Sequence, residues 1–234
     1  MNSAFDGSGI DGSLFVTITG FARDTPWLNT AAQWSTDAVL VVFAALVVLA
    51  WWRARRADVA TMAAALTAPL AVAIGFGAVE VVKNLVAEAR PCVSMPHTYI
   101  IDTCPVTTDY AFPSGHTAFA AATVGALWVV ERRLAWVAAL LTVVEGFSRV
   151  YVGAHYPHDV VGALVIAGPV ALLCALSGRR LLPAAVARLR WGFTTAFVGP
   201  GPAAGEVPPK SVVDTHGEWS TTSAESDCTG RNSL

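Results

Sequence analysis

Apolar residues in this chain run in long blocks, and polar or basic residues stand between the blocks. Five blocks approach the length of about 20 residues that a helix needs to cross a membrane. They cover residues 31–52, 59–79, 112–130, 134–147 and 160–178. Backbone groups inside lipid must be hydrogen-bonded within their own segment, so the blocks predict helices. The expected fold is all-α, a polytopic membrane helical bundle with about five transmembrane helices.

Two further segments are apolar but do not read as spans. Residues 181–191 are interrupted by Pro183, Arg188 and Arg190, which favours a basic helix lying at the membrane interface. Near the N-terminus, residues 14–28 predict an interfacial segment on the outer leaflet.

These patterns divide the chain into three parts. Residues 1–36 form an N-terminal extracytoplasmic or interfacial segment, and residues 37–191 form the membrane domain. Residues 192–234 are rich in Pro, Gly, Ser and Thr and cannot bury a core, so we expect a disordered cytoplasmic tail.

The composition agrees with a membrane protein. Hydrophobic residues make up 54% of the 234 positions and charged residues only 14%, whereas soluble domains carry about 25% charged residues. The net charge of −2 gives no reason to expect nucleic-acid binding. The polar, acidic start of the chain has no basic region typical of a signal peptide.

Basic residues between the blocks predict the orientation. Most of them fall on one side of a five-span arrangement, and that side should be cytoplasmic. The residues on that side are Arg53, Arg55, Arg56, Arg132, Arg133, Arg179, Arg180, Arg188 and Arg190. The opposite side holds Arg23, Lys83, Arg90 and Arg149. The N-terminus is therefore expected outside the cytoplasm and the C-terminus inside.

Three short strings fall on the outer side of this arrangement. Lys83, Arg90 and Pro91 form the pattern K-x6-R-P, and residues 113–116 read P-S-G-H. The third string, S-R-x5-H-x3-D, begins at Ser148 and ends at Asp159.

In order and spacing, the strings match the three-part signature of the type 2 phosphatidic acid phosphatase family. The chain resembles this family over about residues 13–178, and eleven specified positions would have to coincide for a chance match. Among its members, the chain looks most like bacterial undecaprenyl-diphosphate phosphatases. The resemblance implies a metal-independent lipid phosphatase that works through a phosphohistidine.

The residue types suit that chemistry. A phosphoryl group in transfer carries negative charge on its equatorial oxygens, and Lys83, Arg90 and Arg149 can stabilise it. Ser114 and Gly115 open an apolar block, where the amide groups of a helix N-terminus form an anion site. Since no Asp, Glu or His cluster has metal-ligand spacing, we expect no metal and no cofactor.

The resemblance also implies roles for two histidines. His155 is the expected nucleophile, Asp159 holds its imidazole, and His116 protonates the leaving oxygen. Pro157 suits the first turn of a helix, so His155 should lie just before that helix and Asp159 within its first turn. We assign no role to His158, and we expect His97 and His216 to be solvated.

Three polar residues are expected to support the cations. Glu80 precedes Lys83 by one helical turn, and Glu145 precedes Arg149 in the same way. Ser148 is the third residue that we expect to support the cations.

Cysteine positions suggest one disulfide. Cys92 and Cys104 flank the outer loop between the first two strings, where a bridge can form. Two unpaired thiols are the alternative. Cys174 lies in an apolar block and Cys228 in the tail, without metal-ligand spacing.

The expected substrate is a lipid phosphate, and the expected location is a bacterial plasma membrane with the active site on the extracytoplasmic side. A polyprenyl (undecaprenyl or decaprenyl) diphosphate is the first candidate. Phosphatidate, phosphatidylglycerophosphate and decaprenyl-phosphoryl-phosphoribose remain alternatives, because the strings recognise phosphate and not the lipid. From other classes, a vanadium haloperoxidase-like enzyme and a non-catalytic lipid-binding or translocating protein stay open.

Overall fold

The computed structural model describes residues 5–106, 108–190 and 195–201. His216, Cys228 and most of the predicted tail lie outside these residues. The described part is all-α. Its helices are α1 (Ser8–Asp24), α2 (Pro26–Ala54), α3 (Val59–Val86), α4 (Pro91–Ser94), α5 (Gly115–Val130), α6 (Arg132–Tyr151), α7 (Pro157–Leu181), α8 (Pro183–Arg190) and α9 (Thr195–Val198).

The prediction of a polytopic membrane bundle is confirmed. Three helices, α3, α6 and α7, are long and apolar enough to cross a membrane, and α2 makes a fourth if its two halves, bent by 40°, count as one span. The remaining predicted span, α5, has 16 residues and a length of about 24 Å, which is less than the hydrocarbon thickness of about 30 Å.

Helix α5 lies at the centre of the bundle and packs against α3 and α7 through small side chains. Alanines of the three helices form the main buried cluster: Ala64, Ala68, Ala71, Ala118, Ala122, Ala163, Ala167 and Ala171. Small side chains let helix backbones approach closely inside a membrane. At Gly125 of α5 a Cβ atom would overlap the Gly168 carbonyl oxygen of α7, so this crossing requires glycine.

The basic residues gather at one end of the bundle. Arg53 pairs with Glu131 at 3.0 Å, and the Arg179 guanidinium donates to the Val129 carbonyl at 2.9 Å. Arg190 of α8 donates to the Ala57 carbonyl at 2.9 Å. All three sequence strings lie at the opposite end, where α3 and α6 finish and α5 and α7 begin.

The described parts of both flanking segments pack against the bundle more than the sequence suggested. Helix α1 buries Phe15 completely, against Val150 and Tyr156, instead of only lying on a lipid surface. Residues 195–201 belong to the segment expected to be disordered, yet α9 buries Val198 beside Met62. The three-part division of the chain otherwise stays a prediction.

Candidate active site

A cleft of about 540 Å³ opens at the end of the bundle that carries the sequence strings. Cationic side chains line one wall of the cleft, and apolar side chains line another. The lining residues are Leu40, Phe76, Glu80, Lys83, Arg90, Asp102, Thr103, Pro105, Asp109, Gly115, His116, Phe119, Arg149 and His155. The first, second and third strings all contribute side chains to this one space.

Lys83 lies in the last turn of α3, which runs seven residues beyond the predicted end of that span at residue 79. Its side chain is 11% exposed, and its ammonium group lies 3.6 Å from Glu80 and 3.4 Å from Asp109. The expected Glu80–Lys83 pairing is therefore present, and the loop supplies a second carboxylate.

Arg90 is held from three sides just before α4. Its Nε donates to the Asp109 carbonyl at 2.9 Å, and a terminal nitrogen donates to the Asp109 carboxylate at 2.9 Å. The other terminal nitrogen donates to the Ala154 carbonyl at 3.2 Å and lies 3.4 Å from His155 Nε2. The guanidinium is thus fixed beside the imidazole.

Arg149, in the last turn of α6, is 7% exposed and donates to the Asp102 carboxylate at 3.1 Å. Asp102 and Asp109 both come from the loop between the first two strings, and sequence reasoning missed them. The only signal was their place as acidic residues in that loop, Asp102 between the two cysteines and Asp109 after Cys104. Burial opposes ionisation of Asp109, but the hydrogen bond from Arg90 and the charges of Arg90 and Lys83 lower its pKa.

A disulfide restrains this loop. The sulfur atoms of Cys92 and Cys104 are 1.97 Å apart, and their Cα atoms are 5.8 Å apart. Cys92 belongs to α4 and follows Arg90 by two positions, and Cys104 follows Asp102 by two positions. The bridge therefore links the first string to the segment whose carboxylate holds Arg149.

His155 is 1% exposed and lies immediately before α7. Its Nδ1 is 3.2 Å from Asp159 Oδ2, and the same oxygen accepts the Tyr156 amide at 2.8 Å. Tyr156 caps α7 with extended backbone and Pro157 occupies the first turn, as the sequence predicts. Burial lowers the pKa of the His155 imidazole well below its usual value, and the charges of Arg90 and Arg149 act in the same direction.

A neutral His155 has one N–H donor and one lone pair. When Nδ1–H donates a hydrogen bond to Asp159, the lone pair is on Nε2, the nitrogen nearest Arg90. The arrangement can attack a phosphorus atom held by the cations.

Residues of the P-S-G-H turn face two directions, some towards the core and others towards the cleft. Ser114 is completely buried, its amide donates to the Asp159 carbonyl at 3.1 Å, and Thr117 donates to its hydroxyl at 3.2 Å. Gly115 and His116 instead line the cleft. A Cβ on Gly115 would lie 3.8 Å from Lys83 Nζ, so the glycine leaves space beside that cation.

These residues lie within a region that matches a family model. The model of the PAP2 superfamily matches residues 64–182, just over half of the chain. This chain belongs to the PAP2 superfamily. The match contains all three strings, whereas α1 and α2 lie outside it.

Curated relatives agree with this assignment. The chain is 29% identical to undecaprenyl-diphosphatase BcrC of Bacillus subtilis, over 66% of this chain and 77% of that protein. It is 32% identical to an undecaprenyl-diphosphatase of Sulfolobus acidocaldarius, over 44% of this chain and 48% of that protein. It is 31% identical to phosphatidylglycerophosphatase B of Escherichia coli K12, over 60% of this chain and 72% of that protein. No solved structure matches the chain significantly.

Behind Arg149, this PAP2 protein buries the two other supporting residues expected from the sequence. Glu145 is 1% exposed, and the Ser148 hydroxyl donates to its carbonyl at 2.8 Å and lies 3.5 Å from its carboxylate. Both residues lie on α6, one turn or less from Arg149.

His158, which we assigned no role, lies in a network of carboxylates. Its Nδ1 is 2.8 Å from Asp11, and its Nε2 is 3.0 Å from Glu88 and 3.4 Å from Asp159. Glu88, His158 and Asp159 are also the one group of potential metal ligands among residues 5–106, 108–190 and 195–201. Sequence spacing could not find this group, because Glu88 and His158 are separated by 70 positions.

Asp109→Asn should make this PAP2 protein bind inorganic phosphate more tightly. The Asp109 carboxylate competes with an anion for Lys83 and Arg90, and the amide would remove that charge. Because the carboxyl is 40% exposed and therefore screened by solvent, we expect a gain of only about two- to fivefold in affinity. Isothermal titration calorimetry of the purified protein with phosphate measures it.

The matched control is Asp24→Asn, which removes an exposed carboxylate paired with Arg23. It should leave the affinity unchanged. Weaker phosphate binding by Asp109→Asn would mean that Asp109 organises the cations more than it competes for them.

Proposed function

We propose that this protein is a metal-independent lipid phosphatase that removes the terminal phosphate of a polyprenyl diphosphate through a phosphohistidine on His155. One observation carries the proposal. The buried His155 imidazole adjoins a cleft that Lys83, Arg90 and Arg149 line, and Asp159 Oδ2 lies 3.2 Å from its Nδ1.

The first step forms a bond between His155 Nε2 and phosphorus. The bond from phosphorus to the leaving oxygen breaks, and His116, in its protonated form, transfers a proton to that oxygen. The developing imidazolium is stabilised by Asp159. Lys83, Arg90 and Arg149 stabilise the charge on the equatorial oxygens, which is the largest task in phosphoryl transfer.

The second step hydrolyses the phosphohistidine. Water attacks phosphorus, the N–P bond breaks, and His116 accepts the proton of the water. Inorganic phosphate leaves, and both histidines return to their starting states. In both steps His116 transfers the protons and His155 carries the phosphoryl group, so the reaction needs no metal ion.

The shape of the cleft supports a lipid substrate. Leu40 of α2, Phe76 of α3 and Phe119 of α5 form its apolar wall next to the cations. A lipid could place its head group on the cations and its first tail carbons on this wall. Both undecaprenyl-diphosphatases among the relatives favour a polyprenyl diphosphate, whereas the phosphatidylglycerophosphatase keeps a glycerolipid as the second candidate.

A substrate panel tests the reaction and the lipid together. Purified protein in detergent micelles with excess chelator should release phosphate from undecaprenyl diphosphate with a higher kcat/KM than from phosphatidylglycerophosphate, phosphatidate or decaprenyl-phosphoryl-phosphoribose. His155→Asn should lower kcat by about 10²-fold or more, because the phosphoryl acceptor is lost. The matched control is His97→Asn, which changes an exposed histidine.

Activity that disappears with chelator and returns with magnesium would contradict the metal-free route. A higher kcat/KM for a glycerolipid would replace the polyprenyl assignment and keep the lipid phosphatase. Bromide oxidation with vanadate and peroxide, without phosphatase activity, would indicate a haloperoxidase. No turnover of any lipid by the wild type would favour a binding or translocating protein.

We also propose that the cleft faces the extracytoplasmic side of a bacterial plasma membrane, because the basic end of the bundle should face the cytoplasm. In a background with Cys174 and Cys228 replaced by serine, Val106→Cys should react with an impermeant thiol reagent in intact cells. Val106 is 73% exposed in the loop over the cleft. Ala57→Cys, between α2 and α3 at the basic end, should react only after lysis. The reverse pattern would place the active site in the cytoplasm.

A further inference from the structure

The imidazole of His158 lies at the meeting point of carboxylates from three parts of the chain. Asp11 of α1 is 2.8 Å from Nδ1, and Glu88, between α3 and α4, is 3.0 and 3.2 Å from Nε2. Asp159 Oδ1, next in sequence, is 3.4 Å from the same Nε2. Both ring nitrogens therefore face anionic oxygen.

A charged ring satisfies this geometry most simply. A neutral imidazole has one N–H donor, so one of its nitrogens would point a lone pair at a carboxylate. The imidazolium has two donors and satisfies both sides. Its faces are also enclosed by aromatic rings: the centroid of Tyr156 is at 5.5 Å and that of Phe112 at 5.8 Å. Aromatic faces attract cations at such distances.

Asp159 is the residue whose ionised form this cation would stabilise. Asp159 and Glu88 are 0% and 1% exposed, and both approach one ring nitrogen. Two neighbouring buried carboxylates favour protonation of one of them. A protonated Asp159 would stabilise a developing charge on His155 much less. A cation between Asp159 and Glu88 opposes that protonation.

The N-terminal segment closes this cluster. Asp11 accepts the His158 amide at 2.7 Å with the second oxygen of its carboxylate, and it lies at a kink of α1 with non-helical backbone. The Phe5 carbonyl accepts the Ala89 amide at 2.8 Å, next to Glu88. A Cβ on Gly7 would overlap the Glu88 carboxylate, so a larger residue there would require the Glu88 side chain to move away from this position.

From these contacts we infer that His158 is a positioning residue: as an imidazolium between Glu88 and Asp159, it keeps Asp159 ionised behind the nucleophile His155. The inference rests on the proposed phosphohistidine reaction and adds to it a part of the chain outside the matched family region. Glu88 supplies the counter-charge, and Asp11 attaches α1 to the same ring.

A double-variant cycle distinguishes this role from a packing role. His158→Gln keeps a donor near the Nε2 position but removes the charge, so Glu88 should then raise the proton affinity of Asp159. We expect kcat to fall about 10- to 100-fold, the range known for outer partners of functional groups, with KM changed by less than about threefold. Adding Glu88→Gln to this variant should recover at least about tenfold, because the uncompensated charge is gone.

Two results would overturn the inference: wild-type kcat in His158→Gln, or a double variant no more active than His158→Gln. A packing role predicts the second, since each change would only add damage. His97→Gln, at an exposed histidine, is the matched control for the substitution itself. The thermal midpoint of each variant in detergent shows whether it folds.

A second measurement decides the same point without turnover. In wild-type protein labelled with 15N-histidine, and assigned by comparison with His158→Gln, the two His158 nitrogens should both show imidazolium shifts at neutral pH. A neutral tautomer would overturn the inference. So would a stoichiometric divalent ion that chelator or Glu88→Gln removes, because the cluster would then be a metal site. If the wild type had no phosphatase activity, the proposed function would be refuted. The 15N spectrum would still measure the protonation of the His158 ring.

Discussion

Three cations lie close together at the end of a membrane bundle, and the rest of the site depends on how they are held there. Lys83, Arg90 and Arg149 have side chains only 8–11% exposed, and unpaired charges at such burial are costly. The protein meets this constraint with the carboxylates of Asp102 and Asp109 and with backbone carbonyls. We expect a bound phosphate to compete with those carboxylates for the three cations.

The packing of the bundle fixes where the cations meet. Helix α5 is short and begins at the P-S-G-H turn, beside the first turn of α7 and at the end of the bundle where α3 finishes. Alanine and glycine contacts hold α5 close to both neighbours. The Ser114 amide is bonded to the Asp159 carbonyl, which joins the second string to the third. The loop disulfide then ties the first string to the loop that covers them.

Much of this arrangement could be predicted from the sequence, because alternating spans bring every second connection to the same membrane face. The three strings lie in such connections, so their meeting follows from the span order. The pairing of His155 with Asp159 across Pro157 follows from the start of a helix. The length of α3 could not be predicted, because Lys83 and Glu80 look like the end of an apolar block although the helix continues through them.

The carboxylates were not predictable, and the reason is physical. Asp102 and Asp109 reach the cations through the path of an irregular loop, which no periodicity encodes. Asp11 reaches His158 only because α1 packs against α7, across 147 positions of sequence. Ser114 was expected to face phosphate, but its side chain is buried against Thr117, since the turn directs Gly115 and His116 into the cleft instead. Local patterns therefore predicted which cationic side chains come together in the cleft but not the anions that hold them in place.

The central claim is that His155 carries the phosphoryl group during turnover. The most direct measurement is rapid quenching of the reaction with a substrate whose terminal phosphate is radiolabelled, followed by peptide mapping. The account predicts label on the peptide that contains His155, stable in alkali and lost in acid, as expected for an N–P bond. It also predicts no label in His155→Asn. Label on another residue, or active turnover in His155→Asn, would contradict the account.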